Sequence, residues 1–296
     1  MHFDFQAYVT SAAFDRAGRA VFALGDGTVR FESGELVPAH DGVILAACLP
    51  PKGEGLLTAG DDGRVMLSRP DGATELARIP GRWIDTVAAS AESGLIAFAA
   101  GRELHVRDSA DPAFARVFLH ERSVADIAFD PKGRRLAAAT YGGAWLWYAR
   151  IADQKPTILK WAGSHVTLAW SLDGKFLISA MQENQLHGWR VADEKNMRMG
   201  GYPAKVKSLA FLSKGALMGT AGANGAVVWP FGGAPPSAAR KSLQRLGIRS
   251  AGCQHHRPPP LRRRQPPGAR GLGRPQRGPA EPHRRRQSRC RCCHAG

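Results

Sequence analysis

Two sets of residues in this chain have the types and spacing that chemistry would need. The first is Cys253-x-x-His256 followed by Cys290-x-x-Cys293. A two-residue spacer lets both side chains of a pair converge on one tetrahedral zinc ion at about 2.0–2.3 Å. The stretch between the pairs is long, proline-rich and without apolar support, so chance pairing in a Cys- and His-rich segment is the favoured reading. No metal or other cofactor is expected. The second set is His40, His120 and His165. Histidine can serve as ligand or general base, but each of these stands at the entry to a short apolar strand, which predicts a structural hydrogen bond or a solvated ring. Ser, His and Asp all occur, yet there is no nucleophile elbow, phosphate-binding glycine loop or paired-histidine zinc helix. Gly271-Leu-Gly273 has no strand before it and no helix after it, and Asp61-Asp62-Gly63 reads as a β-turn rather than a calcium loop. The chain is therefore expected not to be an enzyme.

The elements that position these residues recur. An apolar residue closes a short strand at Phe14, Leu49, Ala89, Phe129, Trp170 and Phe211. Twelve to fourteen residues later comes a tight-turn position, at Asp26, Asp62, Gly101, Gly142, Asn184 and Asn224. Five residues beyond each turn stands a large apolar side chain: Phe31, Leu67, Val106, Trp147, Trp189 and Trp229. Six copies of an all-β unit of about forty residues predict a β-propeller with six recognisable blades, or a seven-bladed ring lacking its last. The fourth copy is the clearest. Val124, Ile127 and Phe129 alternate up to a Pro131-Lys132-Gly133 turn, Leu136–Thr140 follows with small side chains, and Tyr141-Gly142-Gly143 turns the chain into Ala144–Tyr148. The same phrase recurs as Val166–Trp170, Phe176–Ala180 and Leu186–Arg190, and as Val206–Phe211, Ala216–Thr220 and Ala226–Trp229. Looser fourth strands are expected at Glu35–Pro38 and Ala115–Leu119.

These residues resemble the WD40 repeat family. The family's Asp-Gly turn is matched by Asp26-Gly27, Asp62-Gly63 and Asn224-Gly225, and its closing aromatic by Trp147, Trp189 and Trp229. Its opening histidine is matched by His40, His120 and His165, and Val106-Arg107-Asp108 keeps an acid near the end of a unit. The resemblance covers about residues 9–231. It implies blades tied by a buried network of His, Ser or Thr, Asp and Trp, but no copy here holds all four: the second has Leu67 for Trp, and the fifth has Asn184 for Asp.

Charge divides the chain. The whole carries a net charge of +16, yet from Arg240 onward there are fifteen Arg, one Lys and one acid. Aromatic residues stop at Phe231, and eight of the twenty prolines fall between Pro258 and Pro282. Residues 1–234 are expected to form the propeller, and residues 235–296 a disordered Arg/Pro-rich tail without the apolar surface to offset ordering entropy. Two origins compete for that tail: a polycation that binds nucleic acid through phosphate charge, or frame-slipped sequence replacing a last blade. No run approaches the roughly eighteen apolar residues of a membrane helix. The N-terminus lacks a signal peptide's pattern, and the body holds one cysteine, Cys48. No membrane partner and a cytoplasmic location are expected.

The resemblance implies partner binding on the face where entry loops and tight turns emerge. Those positions supply Arg82, Trp83, Arg102, Arg122, Tyr141, Glu183, Tyr202 and Lys205, with Asp41, Glu121 and Gln182 beside them. Tyr, Trp and Arg dominate binding hot spots. Trp145, Trp147, Trp170, Trp189 and Trp229 are expected in the blade core. The function expected is that of a non-catalytic scaffold for a protein or peptide. A nucleic-acid-associated protein using the tail, and a truncated propeller with little residual function, are the alternatives.

Overall fold

The computed structural model describes residues 3–222 and 225–231. Asn224, the Arg/Pro-rich stretch and the Cys/His pairs within it lie outside the described residues. The body is all-β, and its small antiparallel sheets have a propeller arrangement.

Three sheets each hold four consecutive strands. These are β1 (Val9–Phe14), β2 (Ala20–Leu24), β3 (Thr28–Phe31) and β4 (Leu36–Pro38); β5 (Ile44–Cys48), β6 (Leu56–Gly60), β7 (Arg64–Arg69) and β8 (Gly72–Arg78); and β9 (Thr86–Ala89), β10 (Leu95–Ala100), β11 (Glu103–Asp108) and β12 (Ala115–Leu119). A six-stranded sheet follows, with β13 (Asp126–Phe129), β14 (Arg135–Tyr148), β15 (Thr157–Trp170), β16 (Phe176–Met181), β17 (Leu186–Arg190) and β18 (Lys195–Met199). The last sheet has three strands, β19 (Ser208–Leu212), β20 (Leu217–Ala221) and β21 (Ala226–Pro230).

Counted by hydrogen-bonded sheets, there are five blades rather than the expected six. The cause is local. β15 pairs with β14 through Thr157–Lys160, then continues without a break and pairs with β16 through His165–Trp170. It thus serves as the outer strand of the fourth repeat and the inner strand of the fifth, and a Tyr141↔Ser164 pair stitches the two together. β14 is itself a hairpin. The Ala149 amide donates to the Arg134 carbonyl and the Thr140 hydroxyl to the Gly143 carbonyl, with the turn between them at Tyr141-Gly142. Gly143 has φ +145°, and a Cβ there would strike the Leu159 carbonyl. Only glycine lets these strands approach so closely.

The six repeats remain visible in the packing. The inner strands β1, β5, β9, β13, β15 and β19 touch in sequence. Five apolar clusters fill the spaces between successive repeats. A central strand therefore has a neighbour on both faces, which explains its small or aliphatic side chains: all six residues of Leu95–Ala100 are buried. Trp147, Trp170, Trp189 and Trp229 lie in these clusters as expected. The terminal repeats differ. Phe14, the strand-closing residue of the first repeat, is 71% exposed whereas its counterpart Trp170 is 7% exposed, and Leu212 on the last repeat is 45% exposed.

Candidate functional site

In a four-strand meander the turns between second and third strands emerge at the same end as the loops linking one blade to the next. At that end a polar residue at the entry to the repeat clasps each of four repeats. In the second, the Asp62 carboxylate accepts from His40 Nδ1 (2.9 Å), and Thr58 Oγ1 lies 2.9 Å from His40 Nε2. Burial alone would raise the Asp62 pKa. Hydrogen bonds from His40 and from the Arg64 and Asp41 amides outweigh it and hold the carboxyl below its ordinary value.

In the fourth repeat Trp147 Nε1 donates to His120 Nε2 at 3.0 Å, and His120 Nδ1 faces the Arg102 carbonyl at 3.3 Å. In the fifth, His165 meets Ser179 Oγ at 2.7 Å and the Trp161 carbonyl at 3.1 Å. Burial lowers the pKa of both histidines, which keeps them neutral and suits these bonding patterns. The three histidines are structural, as their position predicts.

The sixth repeat uses a tyrosine. Trp229 Nε1 donates to Tyr202 Oη at 2.6 Å, and that hydroxyl lies 2.8 Å from Thr220 Oγ1, which donates to the Val227 carbonyl. Tyr202 therefore differs from the other residues expected to face a partner: its hydroxyl is committed inside the blade.

The clasps fix the exposed residues that follow them, and the remaining candidates fall into local groups. Arg82 and Trp83 sit beside the turn that carries Arg102. Arg82 Nη1 reaches the Ala100 carbonyl at 3.5 Å and Nη2 reaches Glu103 at 3.6 Å, while Trp83 is 70% exposed. Glu183 accepts from the Ser164 amide at 3.0 Å. Lys205 Nζ donates to Gln182 at 2.9 Å.

Arg122 and Tyr141 are drawn into one recess of about 510 Å³ on the fourth repeat. Its walls are Tyr141, Trp145 and Trp161, with Glu121, Arg122 and Lys160 at the rim. Tyr141 is 64% exposed at the tip of the β14 hairpin. Trp145, expected in the core, shares a strand face with Trp147 and stacks on it with ring centroids 6.2 Å apart, but it is only half-buried at the edge of that cluster, against His120 at 5.2 Å. The Trp161 indole stacks on His187 at 3.9 Å and 17°. Burial pushes the His187 pKa down to about 4, so the stacked imidazole is neutral at physiological pH. The recess can thus offer two aromatic rings packed in place, Trp145 and Trp161, beside the exposed Tyr141 ring, with two cations and a carboxylate at its edge.

No group of three or more His, Cys, Asp or Glu that could hold a metal ion occurs among the described residues. No helix among them is long and apolar enough to cross a membrane. No protein-family model matches the chain, and no curated protein matches it.

Proposed function

We propose that the chain is a WD40-type propeller acting as a non-catalytic scaffold in the cytoplasm. In this reading it binds a protein or peptide partner at the end where the clasped loops emerge. The recess of Tyr141, Trp145 and Trp161, edged by Arg122, carries the proposal. Aromatic side chains fixed before binding give large contact area at small entropic cost, and Arg at the rim adds directional hydrogen bonds. Trp83, Arg82 and Arg102 extend the surface on the neighbouring repeat, with Glu183 and Lys205 beyond it.

The test compares wild-type protein with Tyr141→Ala and Arg122→Ala variants as immobilised baits in an extract of the organism that encodes the chain. Both substitutions fall on exposed side chains, so circular dichroism and thermal midpoints should be unchanged. The expected result is a partner retained by wild type and lost from both variants. Identical retained proteins, with folds intact, would move the binding surface elsewhere.

A further inference from the structure

The opposite end of the propeller carries a second recess, of about 510 Å³, between the second and third repeats. Its floor is Leu57, Leu67 and Ile96, and Leu57 and Ile96 are buried core residues. The strand-linking turns on that side supply Pro50, Pro51 and Pro112, rigid edges that present apolar faces without backbone donors.

Three cations line it: Lys52, Arg69 and Arg107. Among the described residues none of the three forms an ion pair, in contrast to the carboxylates at the same site. Glu75 is engaged by Arg78 at 2.8 Å and Arg64 at 3.5 Å, and Asp108 by Arg150 at 2.6 Å. Arg107 is the most constrained of the three. It is half-buried, lies 5.8 Å from the Phe98 ring centroid, and has one hydrogen bond, to the Val106 carbonyl at 3.1 Å. Burial pushes its pKa below the ordinary arginine value. A guanidinium that has lost water without gaining a carboxylate is an unmet electrostatic demand, and a ligand anion would answer it with charge-assisted hydrogen bonds.

We infer that this recess binds an acidic peptide segment, with an apolar side chain on the Leu57–Leu67–Ile96 floor and flanking carboxylates on Arg69, Arg107 and Lys52. Charge complementarity decides the class. The existing acids are already paired, the cations are not, and a bare small anion would leave the apolar floor unfilled. The site stands apart from the Tyr141 recess, because the turns that build it emerge at the other end of the blades.

The probe is a fluorescent Glu-X-Glu-X-Glu peptide with photoleucine at each X, crosslinked to the full-length chain and mapped by mass spectrometry. Mapping matters because the segment beyond Arg240 is itself strongly basic. Adducts are expected within residues 50–76 and 96–112. A single Arg69→Gln or Arg107→Gln substitution should reduce that labelling roughly tenfold, the worth of one charge-assisted hydrogen bond. The matching Gln-X-Gln-X-Gln peptide should label the recess as weakly as the variants do. Arg69→Gln guards against a folding defect, since its side chain is not in an apolar cluster. Adducts confined to the basic segment, or equal labelling of the recess by the Gln peptide, would overturn the inference.

Discussion

Replacing Asp126 by Asn should remove a pH-dependent contribution to stability that is centred near pH 6. Asp126 sits on an inner strand and ties three repeats together. Its carboxylate accepts from the Leu168 amide (2.7 Å), the Ile127 amide (2.8 Å) and the Thr86 hydroxyl (3.3 Å). Burial, with a smaller push from the Asp85 charge, outweighs these bonds and raises its pKa from 3.8 to about 6. Burial raises Asp85 as well. Because the folded-state value lies above the unfolded one, the folded protein takes up the proton first. The resulting stabilisation is fully present below about pH 3.8 and is lost as pH rises through about 6.

A shift of about two units corresponds to at most about 3 kcal/mol, of which about 1.4 kcal/mol falls between pH 7 and pH 5. Buried histidines act in the opposite sense. His105, His120, His165 and His187 all have depressed values, led by burial, so their contribution is present above about pH 6.5 and declines as pH falls. The raw stability curve is therefore a composite, and the informative quantity is wild type minus variant. Urea unfolding followed by tryptophan fluorescence at pH 7, 6 and 5 measures it. The difference should grow by about 1.4 kcal/mol in favour of wild type from pH 7 to pH 5. Two parallel curves would refute the account, whatever the constant offset between them.

Trp189→Ala removes a side chain that is 1% exposed and should cost about 3–5 kcal/mol, whereas Phe14→Ala, at a site 71% exposed, should shift the urea midpoint little. Gly143→Ala should destabilise by more than about 1 kcal/mol, since the backbone is at positive φ and the new methyl meets the Leu159 carbonyl; thermal melts against the Gly142→Ala variant, which has open space, give the comparison. Tyr202→Phe leaves the Trp229 indole N–H without its acceptor and should cost about 1–3 kcal/mol in urea unfolding. Trp83→Ala combined with Arg82→Ala should weaken partner binding in a quantitative pull-down while leaving the melting temperature unchanged.

The strand pattern was legible because blade strands repeat the same burial demand. Leu186–Arg190 and Ala115–Leu119 match their sequence boundaries, and most others differ by one or two residues. The blade count was less legible. Nothing in Trp161-Ala162-Gly163-Ser164 is a chain reversal, so β15 passes from one repeat to the next and merges two sheets. Trp145 and Trp147, two residues apart in a strand, share one face and one cluster, as the alternation predicts; what the sequence does not show is that Trp145, nearer the turn, is only half covered. Trp147 is buried in the cluster beside Phe118, and Trp145 packs against the same cluster while its uncovered part borders the recess. Trp161 is hard to read from the repeat because it stands outside the three repeated positions. A usable signal existed in its place four residues before His165, whose Nε2 its carbonyl accepts from.

Tyr202 is the most instructive residue, because its role was readable from spacing. His120 lies 27 residues before Trp147, and Tyr202 lies 27 before Trp229. Both accept the indole N–H of the closing tryptophan, so the tyrosine occupies the clasp position of its repeat even though its type suggests a binding residue. In these two repeats the clasp supplies an acceptor for the tryptophan and a second bond, to the Arg102 carbonyl or the Thr220 hydroxyl, and either a neutral imidazole or a phenol can make both. The exposed residues next to it inherit the rigidity of that bond. In the fourth repeat the clasp holds Glu121-Arg122 directly beside the Tyr141 hairpin, and the uninterrupted β15 holds Trp161 on the same side. The recess on the fourth repeat thus combines the repeat's own turn, here Gly142-Gly143, with one departure from a uniform blade, the fused strand.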